Sequence, residues 1–197
     1  MSVTDQIKAL LRLTLRDPQV AARALIGMRL PDQVRWLGLA LVAVLTLIVM
    51  RLTLLIFPAE GLSPLGLALR SPVSGLPIQV GSILMVALAM MLAGRVFGGR
   101  GRFADALLLM VWLEFVLSLV AVVQVLLLVA LPLAGVIFSL CAVALFLWLL
   151  VNFAAALHGF TNLWAVLAAM IGTFLGLAIA TALALALLGI DPQTLAI

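Results

Sequence analysis

The sequence predicts an all-α membrane protein with five transmembrane helices, preceded by one or two short amphipathic surface helices. Of the 197 residues, 67% are hydrophobic and only 9% are charged, whereas about a quarter of the residues in a soluble domain are charged. Five apolar runs each reach or exceed the roughly 20 residues that a helix needs to cross the ~30 Å hydrocarbon core of a bilayer. A soluble fold of this length has no interior for so much apolar surface, so these runs belong in lipid.

A polar segment, residues 1–33, precedes the apolar runs and is predicted to be cytoplasmic and amphipathic. Within residues 2–16, the basic residues Lys8, Arg12 and Arg16 are four apart and share one face of a helix. Asp17 and Pro18 then end this helix and begin a second one. Two interpretations stay open, because such helices either lie on the membrane surface or pack on the inner ends of the spans.

The five apolar runs form the predicted transmembrane domain, residues 34–190. Lipid offers no hydrogen bonds to the backbone, so each run is expected to be a helix. The connections after the second, third and fourth spans are very short, which makes these helices antiparallel neighbours. The spans are predicted at residues 34–57, 77–97, 103–130, 133–156 and 163–188.

The break between the third and fourth spans, residues 130–135, has two interpretations. Pro132 and Gly135 interrupt the helix there. A turn between two separate spans is expected, because residues 103–156 are too long for one crossing. The alternative is a broken, re-entrant bend, which would change the number of spans.

The basic residues are distributed unequally over the two sides of the predicted spans. Nine of the eleven Lys and Arg residues lie on one side, whereas Arg70 and Arg51 lie toward the other. Because positive charge marks the cytoplasmic side, the N-terminus is expected in the cytoplasm and the C-terminus in the periplasm. The residue composition indicates a bacterium, so the membrane would be the bacterial inner membrane. Six of the nine are candidate contacts to lipid headgroups or to a partner: Lys8, Arg12, Arg16, Arg95, Arg100 and Arg102.

A glycine-rich turn, residues 94–105, holds half of these candidates. It contains four glycines together with Arg95, Arg100 and Arg102, and it opens the third span. Tight backbone paths and the N–H groups of a helix N-terminus favour anions such as a lipid phosphate or a partner's carboxylate. An ordinary positively charged cytoplasmic turn is the other interpretation. Asp105 fits the first turn of a helix without any function, because it complements the helix dipole.

Three ionisable or polar residues are expected inside the membrane: Glu114, Arg51 and Asn152. Glu114 lies near the bilayer midplane, where a charged carboxylate costs roughly 2.5–3.5 kcal/mol or more. It is either an ion or proton site or a structural carboxyl group. Arg51 is expected to extend toward the outer face, with pairing to Glu114 as an alternative. Asn152 is expected to form hydrogen bonds between helices.

Small residues recur every four positions in the fifth span, which favours close helix packing. The partner of this face is either another span or a second copy of the chain. The small residues are Ala168, Gly172, Gly176, Ala180 and Ala184.

No residue pattern indicates catalysis or a cofactor. His158 is the only histidine, which excludes a histidine-cluster metal site, and its expected role is an interfacial hydrogen bond. No nucleophile and base have a recognisable arrangement, and no nucleic-acid motif or site for a soluble substrate is evident. The expected partners are the phospholipid membrane and either another integral membrane protein or a second copy of the chain.

The order and spacing of three segments resemble bacterial members of the Yip (Ypt/Rab-interacting protein) family of five-span membrane proteins. These segments are the turn Phe97–Leu107, the run Val111–Phe115 and the turn His158–Phe160. The resemblance implies a cytoplasmic N-terminus and a non-enzymatic role. Rab binding, known for eukaryotic members, is not carried over, because only a short polar segment precedes the spans.

The leading functional hypothesis is a non-enzymatic membrane scaffold or accessory protein, which acts in membrane organisation or in assembly with another membrane complex. The scarcity of catalytic groups, the small-residue face and the basic inner surface favour it. The alternative is a small transporter or channel that uses Glu114 as its intramembrane ionisable site.

Overall fold

The computed structural model describes residues 2–57 and 71–187, and the regular secondary structure in these residues is entirely helical. This part of the chain contains seven helices, which confirms the predicted all-helical class. They are α1 (Val3–Arg16), α2 (Pro18–Gly27), α3 (Asp32–Ile56), α4 (Pro72–Val96), α5 (Phe103–Ala130), α6 (Pro132–His158) and α7 (Leu163–Leu187).

The helices α3 to α7 form an apolar bundle suited to lipid. Four of them, α3 to α6, are long and apolar enough to cross a membrane. With 25 to 28 residues each, they rise roughly 38–42 Å, which exceeds the ~30 Å hydrocarbon core. α7 has 25 residues. Its side chains are described without a gap over Leu163–Gly176, and this stretch is apolar but shorter than the four spans. The molecule is therefore a helical membrane protein with several apolar spans.

α5 is the central helix, and it runs parallel to α3. Near the start of both helices Arg35 lies 3.2 Å from Asp105, and further along both helices Thr46 lies 3.2 Å from Ser118. The numbers of the contacting residues therefore increase in the same direction along both helices. A parallel pair of this kind requires an intervening span that returns the chain, and α4 is that span.

α5 and α6 form an antiparallel hairpin around a single residue, Leu131. Gly135, in the first turn of α6, packs against Leu128 in the last turn of α5, and Gln124 and Ser139 line one groove. Pro132 begins α6 because it has no N–H with which to continue the hydrogen bonding of α5. The break at residues 130–135 is thus a turn between two helices and not a re-entrant bend.

α4 differs most from the sequence prediction, because it begins at Pro72 and not at residue 77. Ser71 precedes it in an extended conformation, and Pro72 occupies a first-turn position that suits proline. Pro77 lies inside the helix. Only about one turn of helix precedes Pro77, so its missing N–H costs one early hydrogen bond and does not end the helix.

The short helices α1 and α2 pack on one end of the bundle. Thr14 of α1 is fully buried, and its hydroxyl accepts a hydrogen bond of 2.9 Å from the indole N–H of Trp112 in α5. Gln19 of α2 donates to the Asn152 side chain of α6 at 3.1 Å. Of the two interpretations left open by the sequence, packing on the ends of the spans is therefore the one observed.

This end of the bundle, where α3, α5 and α7 begin and α4 and α6 end, is termed the basic end. Most of the buried core lies toward it, with Leu113 and Phe153 fully buried. Toward the opposite end, the side chains of α5 and α6 face outward, as in Leu126, Leu133 and Leu140 with 64%, 75% and 70% exposure. The basic end, which contains most of the charged residues, is therefore the tightly packed end of the bundle.

Candidate functional site: the basic end of the bundle

The side chain of His158, the last residue of α6, lies in a socket made by three glycines. Gly94 lies in the last turn of α4, and Gly99 and Gly101 belong to the turn between α4 and α5. A β-carbon added at any of these three positions would overlap the imidazole ring. Only glycine leaves room for the ring, so the glycine-rich turn and the histidine form one unit, termed the histidine socket.

Both ring nitrogens of His158 form hydrogen bonds in this socket. The Gly101 N–H donates to Nδ1 at 3.1 Å, so Nδ1 has no proton and acts as an acceptor. Nε2 lies 3.1 Å from the carbonyl oxygen of Met90 and must be the donor there. The ring is consequently the neutral Nε2–H tautomer, and both of its nitrogens are used to hold α4, α6 and the turn together.

The connection from α6 to α7 continues this unit. Gly159 ends α6 in the left-handed conformation, with φ 76°, which suits glycine. Phe160 then stacks on His158, with 5.5 Å between the ring centroids. The Asn162 side chain caps α7 by accepting hydrogen bonds from the N–H groups of Trp164 and Ala165. The two turns at the basic end are thus joined through the histidine ring.

The three arginines of the glycine-rich turn are exposed. Arg95 lies in the last turn of α4, Arg100 lies between α4 and α5, and Arg102 is the residue before α5. The ion pairs found among the described residues include none of the three. The charge of Arg95 is close enough to His158 to act on it electrostatically. The histidine socket therefore presents unneutralised positive charge outward, which can attract an anion.

Lys8, Arg12 and Arg16 add to this charge from α1, and all three are exposed. The opposite side of α1 faces the bundle through Thr14. α1 begins with a capping box, in which the side chains of Ser2 and Asp5 each accept a hydrogen bond from the other's backbone N–H. The basic face predicted for α1 therefore points away from the bundle.

Arg35 and Asp105 form a buried ion pair between α3 and α5 at 3.2 Å, with 9% and 17% of their side chains exposed. Arg35 also contacts Asp32 at 3.4 Å, but the Asp32 side chain is 79% exposed. The Nε atom of Arg35 is buried without a hydrogen-bond partner. Asp105 thus neutralises a buried arginine, a role beyond the helix-dipole interaction that the sequence suggests.

Glu114 lies at the interface of α5 and α3 and is partly buried. The Thr46 side chain of α3 interacts with its carboxyl group, and Ser118 donates to its backbone carbonyl at 2.8 Å. Both ion pairs between described residues involve Arg35, so Arg51 forms none with Glu114 there. The Glu114 carboxyl group thus interacts with one hydroxyl group, that of Thr46, at this helix interface.

Asn152 is buried, with 5% exposure, and it connects α2 to α6. Its side-chain oxygen accepts the hydrogen bond from Gln19, and its amide nitrogen donates to the Trp148 carbonyl oxygen at 2.8 Å. Hydrogen bonding between helices is the role expected from the sequence, although the partner is a short helix and not another span.

The small-residue face of α7 is uncovered in its described part. Ala168, Gly172 and Gly176 are exposed, and a β-carbon added at Gly172 or Gly176 would meet nothing within 4 Å. The side chains of Ala180 and Ala184 lie outside the described residues. Close packing of this face against another span of the same chain is therefore not seen at Gly172 and Gly176, and a second copy or another membrane protein stays a prediction.

Two contacts were missed by sequence reasoning, and each has a signal in the sequence. Thr14 is a polar residue among the leucines of α1, and Trp112 lies in an apolar run, where a buried indole N–H needs an acceptor. For the pair Arg35 and Asp105, the signal is two opposite charges at the starts of parallel helices. Neither signal identifies its partner without the helix arrangement.

The described part of the chain contains no group of three or more His, Cys, Asp and Glu side chains that could hold a metal ion. The basic end can attract anions, since its exposed charge is predominantly positive. Its histidine is fully hydrogen-bonded.

The apolar bundle and its single charged end define a multi-pass helical membrane protein. A family model described as the Yip1 domain matches residues 12–188, which extend from α1 to the residue after α7. The chain belongs to the Yip1 family, which confirms the family named from the sequence. No curated protein and no solved structure matches the chain.

Proposed function

We propose that this Yip1-family protein is a non-enzymatic scaffold or accessory protein of the bacterial inner membrane. Its basic end would face the cytoplasm and would act in membrane organisation or in assembly with another membrane complex. The observation that carries the proposal is the histidine socket, which holds the turn with Arg95, Arg100 and Arg102 in one conformation and leaves these arginines exposed and without ion pairs among the described residues.

The use of the polar residues supports a role in assembly and not in catalysis. Both nitrogens of His158 form hydrogen bonds within the socket, so neither is free to act as a general base. Asp105 is paired with the buried Arg35. The charged and polar groups thus maintain the shape of the basic end, and the exposed arginines are left for contact with headgroups or with an acidic surface of a partner.

A co-purification experiment tests the proposal. The tagged chain would be extracted from native membranes in mild detergent, and the associated proteins would be identified by mass spectrometry. We expect a defined integral membrane protein to accompany the wild type and to be lost from the variant with Arg95, Arg100 and Arg102 all changed to Gln. Arg51→Gln removes one charge toward the opposite end and serves as the control. A chain that always purifies alone would contradict the proposal.

The surroundings of Glu114 give the transport alternative no support. The carboxyl group interacts with Thr46 at a helix interface, and Glu114 is not among the residues that line four grooves in the described part of the chain. We therefore expect no ion flux in liposomes that contain the wild type or Glu114→Gln. Flux through the wild type that disappears in Glu114→Gln would establish transport and overturn the scaffold proposal.

A further inference from the structure

Two cavities adjoin at the basic end, between the end of α4 and the first half of α7. The first has a volume of about 270 Å³ and the second a volume of about 500 Å³. Phe97, Ala165 and Ala169 line both cavities, so the two are continuous and are termed the α4–α7 groove. The remaining lining residues are Val96, Phe160, Thr161, Asn162, Val166, Ala168, Gly172 and Thr173.

The groove has the depth of one membrane leaflet. From Asn162 at its mouth to Thr173 at its far end, α7 rises by roughly 16 Å along its axis. Half of the ~30 Å hydrocarbon core is about 15 Å. With the turns at the membrane surface, the groove would end close to the middle of the bilayer, which is the depth that an acyl chain of one leaflet occupies.

The mouth of the groove is polar, and the rest of it is apolar. The Oδ1 atom of Asn162 caps α7, while its amide nitrogen has no hydrogen bond to any described residue and remains a donor for a ligand. Thr161 lies beside it and is exposed. Deeper in the groove the lining is Ala, Val, Phe and Gly, except for Thr173, whose hydroxyl donates to the Ala169 carbonyl oxygen at 2.8 Å.

The exposed charge of the two turns beside the mouth is positive. Arg95 acts electrostatically on His158, whose ring stacks on Phe160, and Phe160 lines the mouth. Arg100 and Arg102 are exposed in the same turn. The one carboxylate of the glycine-rich turn, Asp105, is paired with the buried Arg35, and residues 157–167 include no Asp or Glu. An occupant with a negative polar end and an apolar remainder complements this combination.

We propose that the α4–α7 groove binds one anionic phospholipid of the leaflet at the basic end. The headgroup phosphate lies at the arginines and the Asn162 amide, and one acyl chain fills the groove down to Gly172. The inference deepens the proposed function and rests on it, because it assigns a ligand to the same basic end. A second copy of the chain fits less well, since two copies inserted in the same orientation would bring equal sets of unpaired arginines together.

A lipid titration of the full chain tests the charge requirement. The protein, stripped of lipid in detergent, would be titrated with phosphatidylglycerol or with phosphatidylcholine carrying identical acyl chains, and bound lipid counted by native mass spectrometry. The wild type is expected to prefer phosphatidylglycerol. Arg100→Gln and Arg102→Gln are each expected to lower this preference roughly fivefold. Equal affinity of the wild type for the two lipids would overturn the proposal.

Two substitutions on one face of α7 test the location. Gly172 lines the groove and Gly176 does not, although a β-carbon at either position would meet nothing within 4 Å. Gly172→Leu is therefore expected to weaken binding of both lipids at least roughly tenfold, the equivalent of a lost apolar contact, while Gly176→Leu leaves binding unchanged. Ala168→Leu provides a second variant that fills the groove, should Gly172→Leu fail to fold.

The possible results distinguish a lipid from a second copy of the chain in the groove. They also test the lipid site separately from the proposed assembly role. Equal effects of Gly172→Leu and Gly176→Leu, accompanied by a loss of dimer, would identify a second copy and overturn the lipid site. Lipid selectivity that persists in a chain without any protein partner would contradict the assembly role alone. A protein partner captured by a chain that does not distinguish the two lipids would contradict the lipid site alone.

Discussion

At the scale of single residues, glycine has a different purpose in different parts of this chain. In the histidine socket, Gly94, Gly99 and Gly101 make space for an imidazole ring. In the interior of α4, Gly81 has open space around it. Since glycine inside a helix costs roughly 0.5–1 kcal/mol relative to alanine, its presence at Gly94 is explained by the ring, whereas Gly81 has no such contact.

This contrast gives the first prediction, which compares two glycines of the same helix. Gly94→Ala is expected to destabilise the protein by about 2–3 kcal/mol, because its β-carbon displaces the His158 ring and breaks the hydrogen bonds to Gly101 and Met90. Gly81→Ala is expected to stabilise it by roughly 0.5–1 kcal/mol. The free energy of unfolding in detergent, followed by circular dichroism, measures both. Equal effects would show that the socket does not hold the ring.

The buried arginine gives the second prediction, which uses its two carboxylate neighbours. Asp105→Asn is expected to cost about 2–4 kcal/mol, because it leaves the Arg35 charge buried without its closest counterion. Asp32→Asn removes the exposed carboxylate on the same guanidinium, and its cost is expected to stay below about 1 kcal/mol. Denaturant titration of both variants measures this difference, and a larger loss for Asp32→Asn would refute it.

The sequence predicts the residues of the basic end better than their contacts. The glycine-rich turn and His158 are each recognisable in the sequence as features of the same membrane side. Their contact joins Gly101 to a residue 57 positions away. No local pattern specifies such a contact, because it depends on how α4 and α6 pack. The sequence also does not distinguish a glycine that makes room for the histidine ring from a glycine on the open face of α7.

At the scale of helices, the spans follow directly from the sequence, because apolar runs in lipid can only be helical. Proline is less informative, since Pro132 begins a helix whereas Pro77 lies inside one. The position of α1 and α2 could not be predicted, because an amphipathic face fits a membrane surface and a protein surface equally well. The hydrogen bonds from Trp112 to Thr14 of α1 and from Gln19 of α2 to Asn152 show that both helices pack on the protein.

The hydrogen bond from Trp112 to Thr14 gives the third prediction, which concerns the docking of α1. Thr14→Val keeps the shape of the side chain but leaves the Trp112 N–H without its acceptor, which costs about 1–3 kcal/mol. Because this cost falls on the docking of α1, the bonds after Lys8, Arg12 and Arg16 are expected to be cut faster by trypsin. Thr4→Val, at an exposed position of the same helix, is the control. Equal cleavage rates in the two variants would refute the docking role.

At the scale of the whole molecule, charge and packing are concentrated at the same end. The buried core, the short helices and the exposed arginines all belong to the basic end, while the far halves of α5 and α6 expose their apolar side chains. A rigid end holds charged groups at fixed positions, and an apolar exterior suits contact with lipid. This asymmetry could be predicted for the charges, which are visible in the sequence, but not for the packing, which depends on the tertiary arrangement.

The fourth prediction concerns the orientation of this asymmetric molecule in the membrane. Cys141 is exposed, so Cys141→Ala would provide a background for single cysteines at Ser71 and Thr161. Ser71 precedes α4 at the far end, Thr161 lies between α6 and α7 at the basic end, and both are exposed. A membrane-impermeant maleimide applied to spheroplasts is expected to label Ser71→Cys at once and Thr161→Cys only after lysis.

The reason for this expectation is that short connections rich in Lys and Arg are retained on the cytoplasmic side. Labelling of Thr161→Cys in intact spheroplasts, with Ser71→Cys protected, would place the basic end in the periplasm. Labelling of both in intact spheroplasts would indicate two orientations. In either case the arginines of the histidine socket would not act as topological signals. In the first case their exposed charges, which have no ion pair among the described residues, would face a ligand in the periplasm.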